Sequence, residues 1–211
     1  MSASIATANS MTRGEVNATL IKVADLMGVD DINKAAKMLR RGGHDIVRAK
    51  ILQIFGSVTI SATTETFLAS EKFRLDSEEV KFHCDNFRGS FQGDFLSGVG
   101  RIGDSCREGY LKCRYLVRVS DESLILEALG GELQARVDLV EFYEVLREQG
   151  NGEEGGLATN GDDNLFFIRN TMGIPRRVSA RWYKYGWILT SSPVKPSNKW
   201  RVGTRVFSRN S

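Results

Sequence analysis

Few residues in this chain are of the types that support nucleophilic catalysis or metal binding. The histidines are His44 and His83, and the cysteines are Cys84, Cys106 and Cys113. His83 and Cys84 are adjacent in "EVKFHCDNF", whose alternating pattern predicts a strand, so their side chains are expected on opposite faces. The set also lacks the Cys-x-x-Cys spacing of zinc sites. We therefore expect a non-enzymatic protein without metal or cofactor, while the sequence leaves open whether His83 and the cysteines meet in space.

A different chemistry is indicated by "RRVSARWYKYGW", residues 176–187, where four cationic side chains stand among four large aromatic ones. Cations follow phosphates and rings stack on bases, which is the combination that binds single-stranded nucleic acid. Strand alternation predicts one set of side chains toward the core and another toward solvent: Val178, Ala180 and Trp182 against Arg177, Ser179 and Arg181. The rings at or beside the "KYG" turn are expected to be half exposed: Tyr183, Tyr185 and Trp187.

The charges are distributed unevenly along the chain. Residues 161–211 carry ten Lys/Arg against two Asp/Glu, a net charge of +8, whereas residues 66–160 carry −7 and residues 1–65 carry +2. The first interpretation is nucleic-acid binding through a basic, aromatic C-terminal sheet. The residues predicted to bind are Arg177, Arg181, Lys184, Arg201, Arg205, Tyr183, Tyr185 and Trp187. The second interpretation is an interaction or assembly protein, in which the basic sheet meets an acidic protein surface of the same chain, of a second copy or of a partner, without nucleic acid.

The elements that would position these residues begin with a helical segment. Residues 1–13 predict a flexible tail, and residues 14–56 predict three short helices that form a small bundle. The second of these helices follows a Gly-containing turn, as in a helix-turn-helix, and would present Lys34, Lys37, Arg40 and Arg41 to the major groove. Two ordinary amphipathic helices with solvated lysines have the same pattern.

Residues 57–211 predict a mixed domain. A helix is expected after Asp138, which forms a capping box with Glu141, and the Gly-rich stretch 150–163 predicts a mobile surface loop or linker. Residues 164–211 predict four strands separated by turn signals. The fold class we expect is therefore α+β, with a small N-terminal helical bundle followed by a mixed domain that ends in an antiparallel β-meander.

Composition sets the broader expectations. The chain has 211 residues, of which 41% are hydrophobic and 26% charged, as is typical of soluble globular proteins. We find no signal-peptide pattern and no apolar run near the roughly 18–20 residues of a membrane span. An odd number of sparsely spaced cysteines predicts reduced thiols. We expect a cytoplasmic protein that does not enter membranes, with a homo-oligomer as one outcome of its polarised charge.

Overall fold

A computed structural model describes residues 51–83, 90–97, 102–103 and 106–209. The chain divides into two compact units, 1–46 and 47–211. Residues 14–50 of the predicted N-terminal bundle lie outside the described residues. They include the predicted helix that carries Lys34, Lys37, Arg40 and Arg41. The strands are β1 Leu52–Ile60, β2 Phe67–Leu68, β3 Ile102–Gly103, β4 Gly109–Leu116, β5 Ser120–Asp121, β6 Asn164–Arg169, β7 Pro175–Tyr183, β8 Gly186–Pro193, β9 Lys199–Trp200 and β10 Arg205–Ser208. The helices are α1 Ala69–Lys72, α2 Glu122–Ala128, α3 Glu132–Ala135 and α4 Leu139–Glu148, with a π-helical turn at Gln92–Leu96.

The domain is of mixed α and β composition and is built on a six-stranded sheet of order β1-β4-β10-β6-β7-β8. Strands β6, β7 and β8 form the antiparallel meander that the sequence predicts. The expected fourth strand of the meander is placed differently, because β10 lies between β4 and β6 and runs parallel to β6. Val206 and Phe207 are both fully buried and belong to the cores on the two faces of the sheet, as expected of a central strand.

Residues 52–56 also differ from expectation. The sequence predicts that they end the third helix of the bundle, but they form the first half of β1, which continues to Ile60. Leu52 pairs with Leu116 and Ile54 with Arg114, so β1 is hydrogen-bonded along β4. The apolar residues in "ILQIF" satisfy a helical period and a buried strand equally well, and pairing with β4 decides between them.

Hydrophobic cores cover both faces of the sheet. On one face, α4 packs over the strands together with a cluster of phenylalanines, among them Phe91 and Phe142. On the other face, α2 and α3 pack with Trp200. The predicted capping box begins α4, where the backbone N–H of Asp138 donates to Glu141 Oε2 at 2.9 Å. Among the described residues, no helix is long and apolar enough to cross a membrane.

The Gly-rich stretch 150–163 is a surface loop that connects α4 to β6, as one of the two predicted alternatives has it, and part of it packs into the core. Leu157 and Ala158 are buried. Gln149 anchors the stretch, because its Oε1 accepts from the Leu157 N–H at 2.6 Å and its Nε2 donates to the Leu157 carbonyl at 3.1 Å. The Gln149 side-chain amide thus provides hydrogen-bond partners for the backbone N–H and carbonyl of Leu157, which lies outside any helix or strand.

Candidate functional site

The basic, aromatic stretch forms the hairpin of β7 and β8. A two-residue turn, Lys184 and Tyr185, places Trp182 opposite Trp187 and Tyr183 opposite Gly186. The outer edge of β8 is covered at this end, because the Trp187 N–H donates to the Lys81 carbonyl at 2.8 Å. A Cβ on residue 186 would lie 2.6 Å from the backbone of the covering segment, so the close approach requires glycine.

The two faces of β7 carry different chemistry, as the alternation in the sequence predicts. Val178 and Ala180 are fully buried in the core beneath α4, and Trp182 packs against that core. Their neighbours Ser179 and Arg181 lie on the other face and line a pocket. The expectation that this face points to solvent is wrong for Ser179, which is buried in the pocket, and it is confirmed for Arg181. β7 therefore presents polar and basic side chains on one face and apolar side chains on the other.

The end of the hairpin is the most exposed part of this surface. We call Arg181, Tyr183, Lys184 and Tyr185 the hairpin tip. Arg181 is exposed, and Tyr183 and Tyr185 have 46% and 83% of their surface exposed. Lys184 Nζ lies 5.3 Å from the Tyr183 ring centroid. Within the described part of the chain, neither Arg181 nor Lys184 has an acidic ion-pair partner.

Next to the hairpin tip lies a pocket of about 180 Å³, which we call the β7 pocket. It is lined by Asp163, Arg177, Ser179, Arg181, Ile188, Thr190 and Trp200. Asp163 accepts a hydrogen bond from Ser179 Oγ at 2.7 Å. Among the described residues, Asp163 forms no ion pair with a lysine or an arginine, although Arg177 and Arg181 line the same pocket. The pocket thus presents a carboxylate and guanidinium groups that are held apart.

Arg177 is fixed at the back of the β7 pocket. Its guanidinium carbon lies 5.0 Å from the Trp200 ring centroid. Its Nε lies 3.3 Å from Glu122 Oε1, an ion-pair distance at which the N–H is not aligned for a hydrogen bond. Glu122 is wholly buried and accepts from Trp200 Nε1 at 3.2 Å and from the Lys195 N–H at 2.7 Å. One buried carboxylate therefore holds both the arginine and the indole of the pocket wall.

Trp187 does not belong to a binding surface, which corrects the prediction of a half-exposed ring. It is fully buried, and its Nε1 donates to the Gln149 carbonyl at 3.0 Å. Its ring meets that of Trp182 at a centroid distance of 5.3 Å and 71°. The two-residue turn places residue 187 on the same face as Trp182, and this face is the core face.

The remaining predicted cations are engaged within the chain. Arg201 contacts Asp162 at 2.7 Å, and Arg205 donates to the carbonyls of Gly155 and Gly156 at 2.7 and 2.6 Å. Neither arginine lines the β7 pocket. Four further arginines of the basic region, Arg169, Arg176, Arg177 and Arg209, pair with acids of residues 66–160, namely Glu132, Asp94, Glu122, Asp138 and Glu141. Much of the uneven charge of the sequence is thus neutralised inside the domain.

The described thiols are poor nucleophiles. Burial raises the pKa of the Cys106 thiol to about 11, with the Glu141 carboxylate adding to the shift, and burial raises the pKa of Cys113 to about 12. Both are free cysteines, and Cys84 lies outside the described residues. No group of three or more potential metal ligands occurs in the part of the chain that the structure describes.

Sequence reasoning missed four residues of the β7 pocket: Asp163, Ile188, Thr190 and Trp200. Ile188 and Thr190 could have been found from the hairpin register, because a two-residue turn sets them opposite Arg181 and Ser179. Asp163 and Trp200 are brought in by tertiary contacts from a loop and from β9, and nothing local marks them. Comparison of the chain with protein-family models, curated proteins and solved structures gave no match.

Proposed function

We propose that this protein binds single-stranded nucleic acid through the hairpin tip and the adjacent face of β7. The observation that carries the proposal is the exposure of two tyrosine rings beside two cations that have no acidic partner among the described residues. Base stacking on an exposed aromatic ring contributes about 1–3 kcal/mol per base and tolerates any base. Arg181 and Lys184 would contact the phosphates between the stacked bases.

The shape of the surface supports a single strand as the ligand. Tyr183 and Arg181 are two residues apart on one strand and so share a face, at a spacing of about 6–7 Å. A phosphate and its neighbouring base can span this spacing, and a base can stack on Tyr183 only when it is not stacked inside a duplex. Two or three nucleotides would cover the surface, which predicts modest affinity and, from two phosphate contacts, a salt slope of about 1.4.

The alternative is an acidic protein partner that binds the basic region. Arg169, Arg176 and Arg209 already pair with acids of the same chain, so the basic region has part of its acidic partner built in. An acidic protein surface would have to be recognised by the same hairpin tip. Stacking separates the two functions, because loss of a tyrosine ring weakens base binding more than it weakens attraction to carboxylates.

The experiment is a titration of fluorescently labelled octathymidylate at several salt concentrations. Arg181→Ala and Lys184→Ala should each weaken binding and reduce the salt slope by about 0.7. Tyr183→Ala and Tyr185→Ala should weaken binding with the slope unchanged. Arg169→Ala is the matched control, since it removes the same charge from a residue paired with Glu132, and it should bind like the wild type.

Two results would contradict the proposal. The first is the absence of binding to octathymidylate at low salt by the purified wild-type protein. The second is an Arg181→Ala variant that changes the oligomer size in sedimentation while its affinity for the oligonucleotide is unaltered, which would favour the protein-association function instead.

A further inference from the structure

The β7 pocket contains a feature that stacking and phosphate contacts do not use. Asp163 is a half-buried carboxylate on an otherwise basic surface, and its only hydrogen bond from a described side chain comes from Ser179. That bond occupies one acceptor site of a group that offers about four. A phosphate placed against Asp163 would be repelled, so a ligand that fills the pocket needs hydrogen-bond donors for Asp163 and acceptors for Arg181.

We infer that the β7 pocket takes one nucleobase and that the base is guanine. This inference rests on the proposed function. Guanine carries two adjacent donors, N1–H and N2–H, which match a carboxylate, and the acceptors O6 and N7, which match a guanidinium. Adenine and cytosine each offer a carboxylate a single amino group, and thymine offers a single N–H. Guanine is the base that satisfies both charged walls at once.

The size and the walls of the pocket agree with a single base. Its volume of about 180 Å³ is below the roughly 300–1,000 Å³ of pockets that enclose a complete drug-sized ligand. Ile188 lines the pocket, and so does the Trp200 ring with the Arg177 guanidinium lying over it. Arg181 also belongs to the hairpin tip, so a base in the pocket continues directly into the strand that stacks on Tyr183.

The test compares three labelled octanucleotides on the wild-type protein: all thymidine, thymidine with one central guanine, and thymidine with one central hypoxanthine. Hypoxanthine lacks only the N2 amino group of guanine. The guanine oligonucleotide should bind about tenfold more tightly than the all-thymidine one, and hypoxanthine should lose most of that gain. This comparison needs no variant and therefore no assumption about folding.

A pair of variants assigns the preference to one carboxylate. Asp163→Asn should abolish the preference for guanine while binding of octathymidylate persists. Asp162→Asn is the matched control, because it removes the same charge one residue away, where the side chain pairs with Arg201 outside the pocket. It should keep the preference.

Calorimetry with free guanosine separates failure of this inference from failure of the proposed function. Equal binding of all three oligonucleotides would overturn the guanine pocket and leave single-strand binding in place. Binding of guanosine by wild type and not by Asp163→Asn, without oligonucleotide binding, would support the pocket and reject the strand surface. If neither guanosine nor any oligonucleotide binds, the inference is wrong.

Discussion

Trp182 and Trp187 face each other across the β7–β8 hairpin, with ring centroids 5.3 Å apart at an interplanar angle of 71°. Trp187 is fully buried, and Trp182 is half-buried under the connection between α4 and β6. A Cβ on residue 152 would lie 2.3 Å from the Trp182 ring. The tryptophan pair thus joins the hairpin to that connection, so the exposed tip projects from a rigid base.

We expect Gly152→Ala to lower the free energy of unfolding by about 2–4 kcal/mol, since the new methyl group overlaps the Trp182 ring and the residue has a φ of 76°. Gly161→Ala is the matched control. Its φ of 88° is similar, but a Cβ there has no atom within 4 Å, so it should cost only about 1–2 kcal/mol. Urea unfolding of both variants measures the difference, and equal costs would mean that Trp182 is not packed on the connection.

Two arginines on the same face of β7 should differ in their effect on stability. Arg177→Ala leaves the buried Glu122 carboxylate without its cation, and we expect a loss of about 1–3 kcal/mol. Arg181→Ala should change stability by less than about 0.5 kcal/mol, because this side chain is exposed. Thermal or urea unfolding provides the comparison. Similar losses from the two variants would contradict the assignment of Arg177 to structure and Arg181 to binding.

The sequence predicts the local elements better than their arrangement. Alternation in residues 177–182 correctly assigns the two faces of β7, and the capping box at Asp138 correctly begins α4. These features depend on the period of the side chains and on hydrogen bonds between near neighbours, which short stretches determine. The position of β10 between β4 and β6 depends on long-range pairing, and nothing within "TRVFS" specifies it.

The site shows the same limit. The exposure of Tyr183, Lys184 and Tyr185 could be predicted from their place at the turn, where the ammonium group and the tyrosine hydroxyls reach solvent. The engagement of Arg177 by Glu122, and of Arg205 by the carbonyls of Gly155 and Gly156, joins residues about 50 positions apart. The prediction for Trp187 is wrong because it places the ring at an exposed turn, whereas β8 begins at Gly186 and the next ring lies in the core.

Alkaline pH should weaken the fold through the buried thiols. Burial raises the pKa of Cys113 from 9.0 to about 12 in the folded state, so folding favours the protonated thiol. This contribution is fully present below pH 9 and is lost as the pH rises from 9 toward 12. Cys113→Ala should therefore be destabilised relative to wild type at pH 7 by more than at pH 10.5. A constant difference in urea unfolding across this range would show that Cys113 does not titrate differently on folding.

Lys184 combines backbone strain with the proposed binding role. Its φ of 53° lies in the left-handed region, which costs a residue with a Cβ about 1 kcal/mol relative to glycine. The strain is compatible with a lysine retained at the tip of the hairpin for its charge. We expect Lys184→Gly to raise the free energy of unfolding by up to about 1 kcal/mol while it weakens binding of octathymidylate and lowers the salt slope by about 0.7.

The control for this prediction is Lys184→Arg, which keeps both the charge and the strained backbone and should preserve stability and binding. Lys184→Asn gives a second comparison, since asparagine tolerates the left-handed region and carries no charge. It should follow the glycine variant in binding. If Lys184→Gly and Lys184→Asn bind octathymidylate as the wild type does, with an unchanged salt slope, the lysine does not contact phosphate, and the strand must be bound without the turn. If Lys184→Gly raises the free energy of unfolding and also weakens binding, the native lysine lowers the stability of the turn and increases the affinity for the strand.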